Sequence, residues 1–242
     1  MEGRRTLKLS NRLEMVVSFV EAAESAADIG TDHGHVPVEL VRRKTVSRAY
    51  AMDVRKGPLS KAEENIAAAG LKDKIETRLS DGLDKLKAGE ANAVIIAGMG
   101  GELVIHILEA GCHMWDTVDQ WILSPHSEIH KVREWLFNHG FPVVKEDMVY
   151  EEGKYYTIMD VRKCTGTALG DPAGMEKDFR YGKVLRETKN PVFLDYLKDE
   201  ESKLESLKEN LMKQAEHSER AKDSLKDVEE KLSMNREVQN EM

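Results

Sequence analysis

Residues 26–37 read AADIGTDHGHVP and crowd Asp28, Asp32, His33 and His35 around two glycines, Gly30 and Gly34. Glycines at a tight turn let the backbone bend sharply and approach a ligand closely. The acids decide which ligand that is. Two more stand downstream: Asp53, 23 residues after Gly30, and Asp81, followed by Gly82. An acid at about that distance from a glycine turn can accept hydrogen bonds from the hydroxyls of a ribose. Asp81-Gly82 is placed to meet the edge of a nucleobase. A pyrophosphate would favour G-x-G-x-x-G and a bare helix N-terminus. Here the spacing is Gly30-x-x-x-Gly34, with Asp32 at the place of the second glycine. A carboxylate there repels phosphate and attracts sulfonium and ammonium groups. Charge therefore favours S-adenosylmethionine over a dinucleotide.

A second glycine run, AGMGG at 97–101, permits close backbone approach to a substrate. Methylases of exocyclic amines commonly carry Asn/Asp-Pro-Pro-aromatic at this point, and this chain does not. Ring nitrogen, oxygen and small-molecule acceptors stay open. His33 and His35 with Asp32 have no third His or Cys nearby, so no metal is expected. Cys112 and Cys164 are the only cysteines, too few for a disulfide framework or a metal cluster. With no secretory signal pattern and no run of about 18 apolar residues, no membrane role is expected and the cytoplasm is the expected compartment.

These residues need elements to hold them. Ser10 is set to cap a helix with Leu13, Val16, Val17 and Val20 on one face. AADIG, SRAYAMDV, IETRLSDG, NAVIIAG and DQWILSP read as strands. HVPVELVRRK, KGPLSKAEENIAAAG, GELVIHILEAG and SEIHKVREWLFNHG read as the helices between them. Such alternation predicts an α/β, doubly wound parallel sheet. FPVVKEDMVY and KYYTIMDVR, joined by EEGK, predict a hairpin adding an antiparallel edge. In such a sheet the first strand–helix turn, where the quoted residues fall, is the usual ligand cradle.

After Arg162 the composition changes. Residues 1–163 are expected to form the catalytic domain, 164–174 a turn-rich linker and 175–242 a helical region. Leu194, Leu197, Leu204, Leu207 and Leu211 form an apolar stripe that Leu225, Val228 and Leu232 resume. The gap at QAEHSERAK fits either a turn between antiparallel helices or a weak patch in one long helix. Overall, 36 basic against 44 acidic residues give a net charge of −8, unusual for a nucleic-acid binder. Yet Arg4, Arg5, Lys8 and Arg12 against Glu2 leave a basic strip at the start of the chain.

The strings LKLSNRLEMVVSFV, ADIGTDHGHVP, DVRKGPLSKAEENI, AGMGGELVIHILEAG, VREWLFNHGF and KNPVFLDYLKDE, in this order, resemble the bacterial tRNA (adenine-22-N1)-methyltransferases. The resemblance implies a Rossmann-like class I methyltransferase sheet with a C-terminal, coiled-coil-like helical appendage. It also implies methyl transfer from S-adenosylmethionine to N1 of an adenosine in the D-arm of tRNA. By the same resemblance, Asp28, Gly30, Asp32, His33, Gly34, Asp53, Val54, Asp81, Gly82, Ala97, Gly98 and Met99 would hold the donor. Asp32, His33 and His126 would serve the transfer. Arg4, Arg5, Lys8, Arg12, Ser124, Pro125 and His126 would meet the tRNA. One departure stands out: members often read Leu-Gln-Pro-Asn where this chain has Leu123-Ser124-Pro125-His126.

Overall fold

The structure is a computed structural model that describes residues 9–164, 169–215 and 218–242. The chain divides into two compact units, Met1–Ala173 and Gly174–Met242.

In the first unit, β1 (Ala23–Ile29), β2 (Val46–Asp53), β3 (Ile75–Leu79), β4 (Ala93–Met99), β5 (Gln120–Pro125), β6 (Val143–Glu151) and β7 (Lys154–Val161) form one sheet. Its order is β3-β2-β1-β4-β5-β7-β6. The first five strands run parallel, and β7 pairs antiparallel with both β5 and β6. The sheet is therefore doubly wound, with the hairpin adding an antiparallel edge. α1 (Asn11–Phe19), α2 (His35–Arg42) and α3 (Lys56–Ala68) cover one face. α4 (Gly101–Ala110), a short turn of 3-10 helix at Cys112–Met114 and α5 (Ile129–Asn138) cover the other.

Strand residues alternate between the two cores, as a period of two requires. Ala27, Ile29, Val94, Ile96, Trp121 and Leu123 enter one cluster, while Ala26, Ala93, Ile95 and Ile122 enter the other. The order of strands reverses between β1 and β4, so a crevice opens there at their carboxyl ends.

α1 is fixed at both of its ends, the first of them at the crevice. The Ser10 hydroxyl accepts from the Leu13 N–H at 3.3 Å, as its capping role predicts. Glu151, at the end of β6, accepts from the N–H groups of Asn11 at 2.6 Å and Arg12 at 3.3 Å. A carboxylate there also complements the positive end of the helix dipole. At its far end, the Gln120 amide donates to the Phe19 carbonyl and to buried Asp160, both at 2.8 Å.

The second unit holds α6 (Glu176–Tyr181), α7 (Lys183–Thr188), α8 (Pro191–Ala215) and α9 (Glu219–Glu241). Asn235 donates to the Leu197 carbonyl, Arg236 pairs with Glu201, and Lys208 pairs with Glu229. The start of α8 thus lies beside the later part of α9 and its later part nearer the start of α9, with Leu204, Val228 and Leu232 packed between them. The antiparallel pair is the alternative that holds, and one continuous helix is excluded. The sequence reading assigned no elements to α6 and α7, because helices of six residues are too short to display an amphipathic period.

Candidate active site

A cleft of about 490 Å³ opens at the strand reversal. Asp28, Asp32, Asp53 and Asp81 all line it. Each comes from the carboxyl end of a strand or the turn beyond it, so the topology itself gathers them.

Asp28, one residue before the end of β1, has only 6% of its surface exposed. The Thr31 hydroxyl donates to its Oδ2 at 2.7 Å. Burial drives its pKa up to about 6, the neighbouring Asp53 pushes the same way, and the Thr31 hydrogen bond and Arg12 oppose them. Next comes Gly30 at φ +74°, whose N–H donates to the Met52 carbonyl at 2.8 Å. A Cβ on Gly30 would lie 2.2 Å from the Met99 methyl, so a side chain there would have to push the end of Met99 aside.

Asp32, at φ +48°, carries its exposed carboxylate 3.4 Å from His33 Nε2. The His33 and His35 rings stack with centroids 5.3 Å apart. Burial, then His33, lower the pKa of His35, and the neighbouring Asp32 opposes them. Asn65 of α3 donates to the His33 carbonyl at 2.9 Å, and a Cβ on Gly34 would lie 3.1 Å from that of Ala62. The loop is thereby clamped onto α3.

At the end of β2, buried Asp53 accepts from the Arg55 N–H at 2.7 Å. Val54 beside it is 60% exposed, an apolar surface at the cleft wall. Gly82, at φ +47°, backs onto Ile107 of α4. On β4 the register shifts between Ala97 and Met99, leaving Gly98 in the bulge at φ +86°. A Cβ there would lie 3.5 Å from Arg12 Nη1 and 3.8 Å from His126 Cε1. His126 follows β5, its N–H bonded to the Met99 carbonyl at 2.8 Å and its Nε2 3.1 Å from Arg12 Nη1.

All the donor residues expected from the sequence line this cleft except Gly34, which shapes its first turn. Arg12 belongs to the same wall. Arg4, Arg5 and Lys8 lie outside the described residues. Ser124 and Pro125, also expected at the tRNA, are buried within β5, and neither lines the cleft. They pair with Ala97 and Met99 of β4 and directly precede His126. Sequence reasoning missed Thr31, Arg55, Leu103, Ile107 and Tyr156. Thr31 had a signal, since a hydroxyl three residues from Asp28 across a glycine turn is a ready local partner. Tyr156 had none, being brought to His126 only by the hairpin's pairing.

The methyltransferase domain family matches residues 9–159. A tRNA (adenine(22)-N(1))-methyltransferase of Bacillus subtilis is 34% identical over 232 residues, covering 96% of this chain and 97% of that protein. The chain belongs to that methyltransferase family. The crystal structure of the B. subtilis M1A22 tRNA methyltransferase TrmK superposes with a TM-score of 0.85 at 33% identity, covering 97% of this chain and all of that one. A Streptococcus pneumoniae protein solved in complex with S-adenosyl-L-methionine gives 0.83 at 33% identity, over 96% of this methyltransferase and 100% of that chain.

The cleft of this methyltransferase fits a cationic nucleoside by its own geometry. Four acids surround a turn that Gly30 makes at φ +74°, and Val54 offers an apolar surface to a planar ring. Among the described residues, no group of three or more His, Cys, Asp or Glu is placed to hold a metal ion. None of the described helices is long and apolar enough to cross a membrane.

Proposed function

We infer that this chain is an S-adenosylmethionine-dependent methyltransferase that modifies N1 of adenosine 22 in the D-arm of tRNA. The convergence of Asp28, Asp32, Asp53 and Asp81 on one cleft carries the reading. The named B. subtilis relative, matched along 96% of the chain, supports the substrate. Work on tRNA is in keeping with a cytoplasmic enzyme.

Asp53 accepts from the ribose hydroxyls of the donor, and Asp81-Gly82 meets its adenine edge. Asp28 and the Gly30 turn hold the aminoacyl end, while Ala97, Gly98 and Met99 form the opposite wall. The bound donor supplies an electrophilic methyl group on a sulfonium, which the free N1 lone pair of adenine takes without prior deprotonation. No general base is needed, so the protein contributes positioning and stabilisation of charge. Asp32 stands exposed at the turn, where its field steadies the positive charge growing on the target adenine. His33, 3.4 Å away, keeps that carboxylate oriented. His126, on the far wall, positions the base. The adenosine must leave its stack to enter, at a cost of a few kcal/mol.

Incubating the protein with labelled donor and unmodified tRNA, then digesting to nucleosides, should yield N1-methyladenosine. A different methylated nucleoside, or none, would refute the assignment. Asp32→Asn should lower kcat by roughly tenfold or more, the scale of a lost charge contact to a transition state. Unchanged turnover would remove Asp32 from the mechanism.

A further inference from the structure

His126 does not stand alone at the cleft. Arg12 of α1 reaches across the Gly98 bulge and places Nη1 3.1 Å from His126 Nε2. Its guanidinium also lies over the Tyr156 ring, 5.2 Å from the centroid, and the His126 ring meets the same tyrosine edge-on at 5.2 Å. Three constraints hold Arg12 in place: Glu151 binds its backbone N–H, Tyr156 supports its plane, and Gly98 has no side chain to separate it from the imidazole.

A guanidinium has five N–H donors and no acceptor. Nε2 of His126 must therefore accept, and a neutral imidazole that accepts at Nε2 carries its proton on Nδ1. We propose that Arg12 is a positioning residue: its hydrogen bond locks His126 as the neutral Nδ1–H tautomer, leaving one N–H donor for the target adenine. This deepens the reading of the cleft as the tRNA methylation site and rests on it. The donor suits N7 or N3 of adenine, ring acceptors that leave N1 free for the methyl group. Neutrality matters as well, because an imidazolium would repel the cationic product.

The surrounding charges agree. Facing His126 are Arg12 from α1 and Lys154 and Tyr156 from β7. Burial, Arg12 and Lys154 all lower its pKa, while Asp28 lies within electrostatic reach of Arg12.

Long-range proton–nitrogen NMR on the full chain with labelled histidine reads the tautomer directly. The wild type should show Nδ1 protonated and Nε2 bare. Arg12→Met, which keeps an apolar stem over Tyr156 but donates nothing, should populate the Nε2–H form and raise the His126 titration midpoint. Arg12→Lys, still a cationic donor, should restore the wild-type tautomer. On tRNA, Arg12→Met should cut kcat roughly tenfold with little change in KM, the effect of one misdirected hydrogen bond. A wild type with Nε2–H, or Arg12→Met with unchanged tautomer and midpoint, overturns the proposal. Should Arg12→Met fail to fold, the wild-type and Arg12→Lys spectra still decide it. The spectra need no RNA, so their failure is distinguishable from a failure to make N1-methyladenosine.

Discussion

At the scale of single residues, the site holds tension between binding and stability, and Asp28 concentrates it. Its carboxyl is buried and its pKa is raised to about 6 in the folded protein, above the ordinary value of 3.8. Between those values the folded state binds more proton than the unfolded chain. The contribution of Asp28 to stability therefore declines as pH rises from about 4 to 6 and stays unfavourable above. Without donor, Asp28→Asn should raise Tm at pH 8 while weakening S-adenosylmethionine binding, as differential scanning and calorimetry would show. A lower Tm together with undiminished affinity would contradict this. In the wild type, binding the cationic donor near pH 6 should expel a proton from Asp28. Calorimetry in buffers of different ionisation enthalpy would detect that release as a buffer-dependent heat.

At the scale of elements, the cleft depends on close approach of backbones where two strand ends meet two helix starts. Gly101 begins α4, and its N–H donates to the Ser127 carbonyl at 3.1 Å. A Cβ there would lie 2.6 Å from that oxygen and 2.9 Å from the Glu128 carbonyl, both backbone atoms with no rotamer to escape by. Gly101→Ala should therefore destabilise the fold by about 1–3 kcal/mol, in the range of overpacked positions. It should also displace His126, one residue before Ser127, and lower turnover beyond what the fraction folded explains. Denaturant melts with activity normalised to folded protein separate the two effects. Gly30→Ala should behave differently. Its nearest obstacle is the mobile end of Met99, so its cost comes mainly from holding alanine at φ +74°.

At the scale of the whole molecule, the catalytic cleft and the helical region belong to separate compact units that meet in sequence at Ala173–Gly174. We expect residues 1–173 alone to keep donor affinity while losing tRNA affinity, since the cleft is lined entirely from the first unit. Titrations with donor and with tRNA on that fragment test this, and full tRNA affinity would show that 174–242 takes no part in holding the RNA. With a net charge of −8, tRNA should be held by local basic residues such as Arg12, and the slope of its affinity against salt should count those contacts. The alternating strands and helices were legible in the chain because both periods repeat over enough residues to show. So was the donor side of the cleft: in a doubly wound sheet strand ends gather at one edge, and Asp28, Asp53 and Asp81 could be read from their places along the chain. The base side could not be read that way. Ser124 and Pro125 looked like contacts yet are buried, and Arg12 looked like surface charge yet faces His126. Tyr156 arrives there from a strand that pairs 30 residues away from His126. Local pattern determined which elements form and which acids end them, whereas pairing register and helix docking, set by burial of distant apolar faces, decided which side chains meet.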